Sequence, residues 1–341
     1  MSSIQKENNK PKKSSQHIAI IYSLRGLSII LISFYHFGYN GIIQFDNELL
    51  SNIFRFGRKG IHIFFLISGI VIPLSLISYE YKIHQFWNYL LKRIIRIEPP
   101  YLVVLTLSVL YLYGQYLLGF TNDLNVLPST KEIALHIGYL VPFSNEAEWI
   151  VPVFWTLSIE FQYYLFLAIL FPLALSNTKI LNWVFNLTVI MLPLTYSGTD
   201  LFLHWSAFFG LGIFYILYSF KKYSLIESCI LLVLSAYVIC TEQSVLDFFI
   251  GIIILLIVHF YPNLKLRLGM FLGKISYSYY LLHTIIGVTI LENIYHLLSS
   301  DVIRIIAIIL TITFIVFVST FFWKYIERPS ELQSKKVKMK Q

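Results

Sequence analysis

The sequence IAIIYSLRGLSIILISFYHFG, residues 18–38, decides the fold class. It is a long apolar run interrupted by one cation, Arg25, and one imidazole, His36. A helix needs about 20 mostly apolar residues to cross a bilayer, so this run predicts a transmembrane helix. Because it does not end in a small-residue cleavage site, we expect the helix to be retained rather than removed as a signal peptide.

The rest of the chain has a similar composition. Of its 341 residues, 57% are hydrophobic and 13% are charged, and the mean hydropathy is +0.70, whereas soluble domains carry about 25% charged residues. We therefore predict an all-α polytopic membrane protein with about ten transmembrane helices. The predicted spans cover residues 18–39, 61–78, 100–119, 152–175, 179–196, 200–220, 224–241, 244–261, 271–293 and 302–325.

Lysine and arginine are distributed unevenly between the two sides of these spans. With the N-terminus in the cytoplasm, 20 of the 26 Lys and Arg residues lie in cytoplasmic segments and five in outer segments. This positive-inside pattern predicts that both termini are cytoplasmic. The net charge of +8 then indicates contact with anionic membrane lipids rather than with nucleic acid. We divide the chain into a disordered basic tail (1–17), one transmembrane domain (18–328) and a basic cytoplasmic tail (329–341).

Ionisable side chains within a span are costly and usually face a cavity or a partner. Arg25 and His36 are eleven positions apart, which places them on one face of the first helix, about 16 Å apart along its axis. Taken singly, Arg25 has the alternative interpretation of a snorkelling side chain. His36 alone has the alternative of an interfacial histidine bonded to a backbone carbonyl.

Glu160 lies about eight residues inside the predicted fourth span. Counted along the helices, Glu160 and His36 reach a similar depth in the outer half of the bilayer. A carboxylate beside an imidazole would provide a general base and its orienting partner. The alternative is a structural pair that only fixes the packing of the two helices.

Arg93 and Arg96 lie three residues apart on one helical face of the predicted cytoplasmic segment, just before Pro99-Pro100. We expect this segment to end at the two prolines, where the third span begins. The planar guanidinium group suits bidentate contact with phosphate. Attraction of the basic helix to anionic lipid is the alternative.

A weaker signal comes from the ninth predicted span, where Ser276 and Tyr277 precede His283. These residues could line a polar cavity, although a lone histidine in a span is commonly a packing residue. The two cysteines, Cys229 and Cys240, have no neighbouring Cys or His pair, so we predict no metal site.

Several of these residues lie in short motifs, which follow one another along nearly the whole chain. Through them the sequence resembles acyltransferase family 3. The members of this family are membrane-bound O-acyltransferases, found largely in bacteria, and they modify surface carbohydrates. The motifs are Arg25 with His36, GIHIFFLISG (60–69), RIIR (93–96) with Pro99, FWTLSIE (154–160) with Tyr164, GKISY (273–277) leading to His283, and ERP (327–329). His62 departs from the pattern, because many members carry an acidic residue there, and its role here is left open.

The resemblance implies a multi-pass enzyme of the bacterial inner membrane. It would use cytosolic acyl-CoA, with acetyl as the expected acyl group, and a carbohydrate or lipid-linked glycan as acceptor, without a metal. It also implies that Arg25 and His36 are needed for activity and that the paired arginines help to hold the donor. The side chains expected to line the cavity are Ser68, Trp155, Tyr164, Ser276, Tyr277 and His283. The sequence does not indicate an oligomeric state.

The mechanism that we predict joins these residues across the bilayer. Arg93 and Arg96 bind the phosphates of coenzyme A, and Arg25 guides the donor inward. His36, oriented by Glu160, then removes the proton of the acceptor hydroxyl, or alternatively accepts the acyl group itself. The rival function is a transporter or flippase of a glycan or a small anionic solute, which would also place ionisable side chains around a cavity in the membrane.

Overall fold

The computed structural model describes residues 18–39, 42–120 and 127–339. Within these ranges the chain is mainly helical and contains no β-strand, which confirms the all-α prediction. The predicted disordered tail, 1–17, lies outside the described residues.

Fourteen α-helices lie in the described ranges. They are α1 (Ile20–Gly38), α2 (Glu48–Phe56), α3 (Gly60–Ser78), α4 (Phe86–Leu117), α5 (Thr130–Ile137), α6 (Phe154–Ala174), α7 (Lys179–Met191), α8 (Phe202–Ser219), α9 (Leu225–Glu242), α10 (Val245–Phe260), α11 (Arg267–Lys274), α12 (Ser276–Ile294), α13 (Asp301–Phe322) and α14 (Arg328–Lys336). A π-helical turn, Trp323–Glu327, joins α13 to α14.

Seven helical segments of the described chain are long and apolar enough to cross a membrane. They are Ile20–Gly38, Glu48–Ser78, Ile83–Leu117, Phe154–Ala174, Phe202–Ser219, Leu225–Glu242 and Asp301–Lys336. Two shorter apolar segments, Lys179–Thr195 and Val245–Phe260, lie where the fifth and eighth spans were predicted. The protein is thus multi-pass. The total of about ten spans and the cytoplasmic placement of the termini stay predictions.

Helix α4 differs from the prediction because it continues through Pro99 and Pro100. The two prolines lack the N–H groups that would bond the carbonyls one turn earlier, and we had expected them to end the helix. Pro99 and Pro100 leave the carbonyls of Ile95 and Arg96 without their usual helical donors, a loss that membrane helices tolerate. The adjacent Ile97 carbonyl oxygen accepts a hydrogen bond from the Tyr277 hydroxyl of α12 at 2.7 Å, which links α4 to α12 at this point. The basic face and the third span therefore belong to one continuous helix.

The segment after residue 328, which was predicted to be a basic cytoplasmic tail, is mostly helical. Most of it forms α14, which packs against α4 and buries Ser330 and Ser334. Small hydroxyl side chains on this face allow the helix to lie close to its neighbour.

Close helix contacts in the bundle depend on glycine. Helices α3 and α8 pack along each other, and a Cβ atom added at Gly212 would lie 2.6 Å from the backbone carbon of Gly69 and 2.7 Å from the Leu66 oxygen. Both neighbours are backbone atoms, so neither can rotate away. This is the small-residue packing by which membrane helices bring their backbones together.

We expect Gly212→Ala to destabilise the folded protein by about 1–3 kcal/mol, because the added methyl group overpacks the α3–α8 contact. The measurement is the free energy of unfolding, or the thermal midpoint, of the detergent-solubilised protein.

Gly114→Ala is the matched control. Gly114 lies in α4, and a Cβ atom added there meets nothing within 4 Å. In a helix that change is neutral or stabilising. Equal losses of stability in the two variants would contradict the close-packing explanation.

Candidate functional site

A cavity rich in charged side chains lies where several helices converge. Its guanidinium and carboxylate lining residues are Arg25, Arg93, Arg96, Glu160, Glu327 and Glu331. They come from α1, α4, α6, the π-helical turn and α14. Its volume is about 100 Å³. We call it the arginine cavity.

Much of the predicted site is assembled in this cavity although its members are far apart in the sequence. The candidate residues in its lining are Arg25, Ser68, Arg93, Arg96, Glu160, Tyr164, Ser276 and Tyr277. Sequence reasoning assigned no role to Glu327 and did not consider Glu331. The ERP motif was the available signal for Glu327, whereas Glu331 lay in a segment interpreted as a tail.

The three guanidinium groups of the arginine cavity have no directly paired carboxylate within the described part of the chain. None of the ion pairs between described residues includes Arg25, Arg93 or Arg96. Arg93 is only 7% exposed, lies 5.4 Å from the ring centres of Tyr89 and Tyr164, and has no hydrogen-bond partner for its Nε among the described residues. Leaving a buried donor unpaired costs about 1–3 kcal/mol. The arrangement is therefore suited to a ligand with anionic oxygen atoms.

The carboxylates of the cavity are held by hydroxyl groups instead. Glu160 accepts hydrogen bonds from the Tyr164 hydroxyl at 2.5 Å and from Ser68 Oγ at 3.4 Å. Glu327 accepts from Ser278 Oγ at 2.5 Å and from the Ser278 backbone N–H at 3.0 Å. The carboxylates thus compensate the buried positive charge at a distance while the guanidinium N–H groups stay available.

A pair of histidines lies next to the arginine cavity, behind Tyr280. The rings of His36 and His283 meet edge to face with centroids 5.3 Å apart. His283 Nδ1 lies 2.7 Å from the Tyr280 carbonyl oxygen. A carbonyl can only accept, so Nδ1 carries the proton and Nε2 carries the lone pair in the neutral ring. That Nε2 is buried and has no partner among the described residues.

Tyr280 separates the arginine cavity from the histidine pair. It lines the cavity, and its ring centroid lies 5.4 Å from that of His283. Its hydroxyl is fixed by Thr156 Oγ1 at 2.6 Å and by the Val153 carbonyl oxygen at 3.1 Å. One ring therefore forms the partition between the charged cavity and the imidazoles.

His36 lines a second cavity, which has a volume of about 470 Å³. We call it the histidine cavity. Its polar lining residues are His36, Ser108, Tyr111, Thr284, Thr289 and Glu292. No sequence motif marked this cavity, because its side chains come from separate helices, α1, α4 and α12.

The structure does not bring His36 and Glu160 together as the sequence analysis expected. Glu160 lines the arginine cavity, whereas His36 lines the histidine cavity and has His283 as its ring neighbour. The expectation compared only their depths along the helices, and the direction in which each helix faces decided the outcome. Trp155 and His283 were also expected to line the cavity, but they line neither of the two cavities. Trp155 lies against Trp205, with ring centroids 6.2 Å apart.

His62 has a partner that its sequence position did not reveal. Its Nε2 lies 3.0 Å from an oxygen of Asp247 in α10, and Lys59 Nζ lies 2.5 Å from the same carboxylate. Ser244 Oγ donates to the other oxygen at 2.6 Å. This buried network joins α3 to α10 and lines neither cavity.

The chain matches a known protein family. A family model described as an acyltransferase domain, the acyltransferase 3 model, matches residues 18–324. No curated protein and no solved structure gave a match. The matched range runs from the start of α1 into the π-helical turn, so it includes the residues of both cavities except those nearest the C-terminus. The chain therefore belongs to acyltransferase family 3 and is a multi-pass membrane acyltransferase.

Proposed function

We propose that this protein is an O-acyltransferase of the bacterial inner membrane that moves an acyl group, acetyl in the first instance, from cytosolic acyl-CoA to a hydroxyl of a cell-envelope or exported carbohydrate. One observation carries the proposal: three guanidinium groups without ion-pair partners among the described residues line one cavity, and a histidine pair lies directly beyond it. Family membership supplies the reaction class.

The arginine cavity is the proposed donor site. Phosphate and thioester oxygens are acceptors that match the free N–H groups of Arg25, Arg93 and Arg96. The cavity volume of about 100 Å³ is smaller than the range of about 300–1,000 Å³ that is usual for ligand pockets. The cavity therefore takes only part of the donor, and the bulky nucleotide stays at its mouth, near α14 and the first turns of α4.

The histidine pair is the proposed catalytic centre. His36 accepts the proton of the acceptor hydroxyl while the hydroxyl oxygen bonds to the thioester carbonyl carbon. The carbon–sulfur bond then breaks, and the departing thiolate takes up the proton. Because the Tyr280 carbonyl fixes the His283 tautomer, Nε2 of His283 presents a lone pair beside His36. His283 is thus a positioning residue, and its ring contacts the His36 ring edge to face.

The partition formed by Tyr280 keeps the two substrates apart until the acyl group passes it. Excluding water from a thioester protects it from hydrolysis. Direct transfer and a relay through acyl-His36 both fit this placement. Acyl label that remains on the protein after the acceptor is omitted, and that is absent in His36→Ala, distinguishes the relay from direct transfer.

We expect Arg93→Ala to weaken binding of coenzyme A about tenfold or more, because a hydrogen bond to a charged group contributes about 1.5–3 kcal/mol. The measurement is isothermal titration of the purified protein in nanodiscs with coenzyme A.

Lys92→Ala is the control for that experiment. Lys92 is adjacent in the sequence, but its Nζ bonds the Tyr79 hydroxyl at 3.0 Å and it does not line the cavity. Unchanged coenzyme A affinity in folded Arg93→Ala protein would remove the donor-site assignment.

We expect His36→Ala to lower transfer of label from radiolabelled acetyl-CoA to envelope glycans by about 10²–10⁴-fold, the usual effect of losing a general base. Binding of coenzyme A should be retained, since His36 lies beyond the arginine cavity.

His84→Ala is the control for this loss, because His84 is exposed and lines neither cavity. A transporter would move its substrate without transferring label at all. Wild-type protein that binds coenzyme A and labels no glycan would therefore contradict the proposed function.

A further inference from the structure

The histidine cavity has the properties of a ligand site in its own right. Its volume of about 470 Å³ falls within the range of about 300–1,000 Å³ for small-molecule pockets. Thr284 lines it, is only 4% exposed, and has no partner for its Oγ1 among the described residues. The described residues also make no hydrogen bond to the His36 ring. A ligand in this cavity could form the hydrogen bonds that the buried hydroxyl and the imidazole lack.

The polar residues of α12 that line the cavity extend from the histidine pair to the surface, and we call them the α12 track. Thr284 follows His283 directly, Thr289 lies further along, and Glu292 is exposed at the far end. Thr284 and Glu292 are eight residues apart, which corresponds to about 12 Å along the helix. The track has the length for a saccharide end with one reacting hydroxyl beside His36.

The opposite side of the cavity comes from α4 and supplies an aromatic ring with a free donor. Tyr111 is 41% exposed, and its hydroxyl accepts a hydrogen bond from Gln115 Nε2 at 2.7 Å. Its own proton therefore remains available for donation. Ser108 Oγ donates to the Val104 carbonyl at 2.7 Å, so its lone pairs remain available as acceptors. A sugar presents C–H groups to an aromatic face and hydroxyls to such polar groups.

The charge of the lining residues bears on whether the cavity can bind a neutral or an anionic sugar. Apart from the imidazole of His36, the ionisable lining residues are Tyr111 and Glu292, and Glu292 is the anionic one. No ion pair between described residues includes Glu292. A carboxylate accepts hydrogen bonds from neutral hydroxyls and repels another carboxylate.

We infer that the histidine cavity is the acceptor subsite and that it takes a neutral saccharide, with Glu292 bonding sugar hydroxyls and excluding uronic acids. The inference rests on the proposed function, since it places the acceptor next to His36. It assigns the donor and the acceptor to separate cavities on the two sides of Tyr280.

The test compares two acceptors that differ only in a carboxylate, methyl glucoside and the methyl glycoside of glucuronic acid. Transfer from radiolabelled acetyl-CoA to each is measured with the full-length protein in nanodiscs, together with transfer to envelope glycans. We expect wild-type protein to prefer the neutral glycoside and Glu292→Lys to shift the preference ratio toward the uronide by about tenfold or more. Coenzyme A affinity should be the same in both proteins, because Glu292 does not line the arginine cavity.

Asn293→Lys is the control, because it places the same lysine side chain at an exposed neighbouring position that does not line the cavity, and it raises the net charge by one where Glu292→Lys raises it by two. An unchanged ratio in Glu292→Lys, or an equal shift in Asn293→Lys, would overturn the acceptor subsite while label transfer to envelope glycans leaves the proposed function intact. No label on any acceptor would instead overturn the proposed function, and the subsite with it.

Discussion

Burial of positive charge inside an apolar bundle is the constraint on which the rest of this structure depends. Arg25, Arg93 and Arg96 share one small cavity, and an uncompensated charge in such a place would be prohibitively costly. The compensation comes from carboxylates that bind hydroxyl groups rather than the arginines, as the bond between Glu160 and Tyr164 shows. A direct salt bridge would satisfy the guanidinium N–H groups internally. The observed arrangement balances the charge and keeps those donors free for a ligand.

This charge arrangement explains why the C-terminal part of the chain belongs to the site. The π-helical turn places Glu327 against Ser278, and α14 adds Glu331 to the same cavity. Both carboxylates attract Arg96 electrostatically. The last helix therefore supplies negative charge to a cavity whose positive charges come from α1 and α4.

The two cavities on either side of Tyr280 differ in size and in charge. One side is small and charged, and the other is wider and lined mainly by hydroxyls and apolar groups. The histidine pair lies at the boundary, next to the tyrosine whose carbonyl fixes the tautomer of His283. A thioester and a hydroxyl compound differ in charge and in their affinity for water, so two unlike cavities that meet at the proposed general base would suit acyl transfer better than one shared pocket.

The sequence by itself determined the helical membrane fold, the residues at which the membrane tolerates charge and the family resemblance, because hydropathy and spaced ionisable residues are local properties. Tertiary structure alone decided that His36 meets His283 rather than Glu160, that α4 continues through Pro99-Pro100 and that Asp247 is the partner of His62. Depth in the bilayer follows from counting along a helix. The direction in which each side chain points depends on the rotation of the helix and on neighbours far away in the chain, and these are set only when the helices pack together.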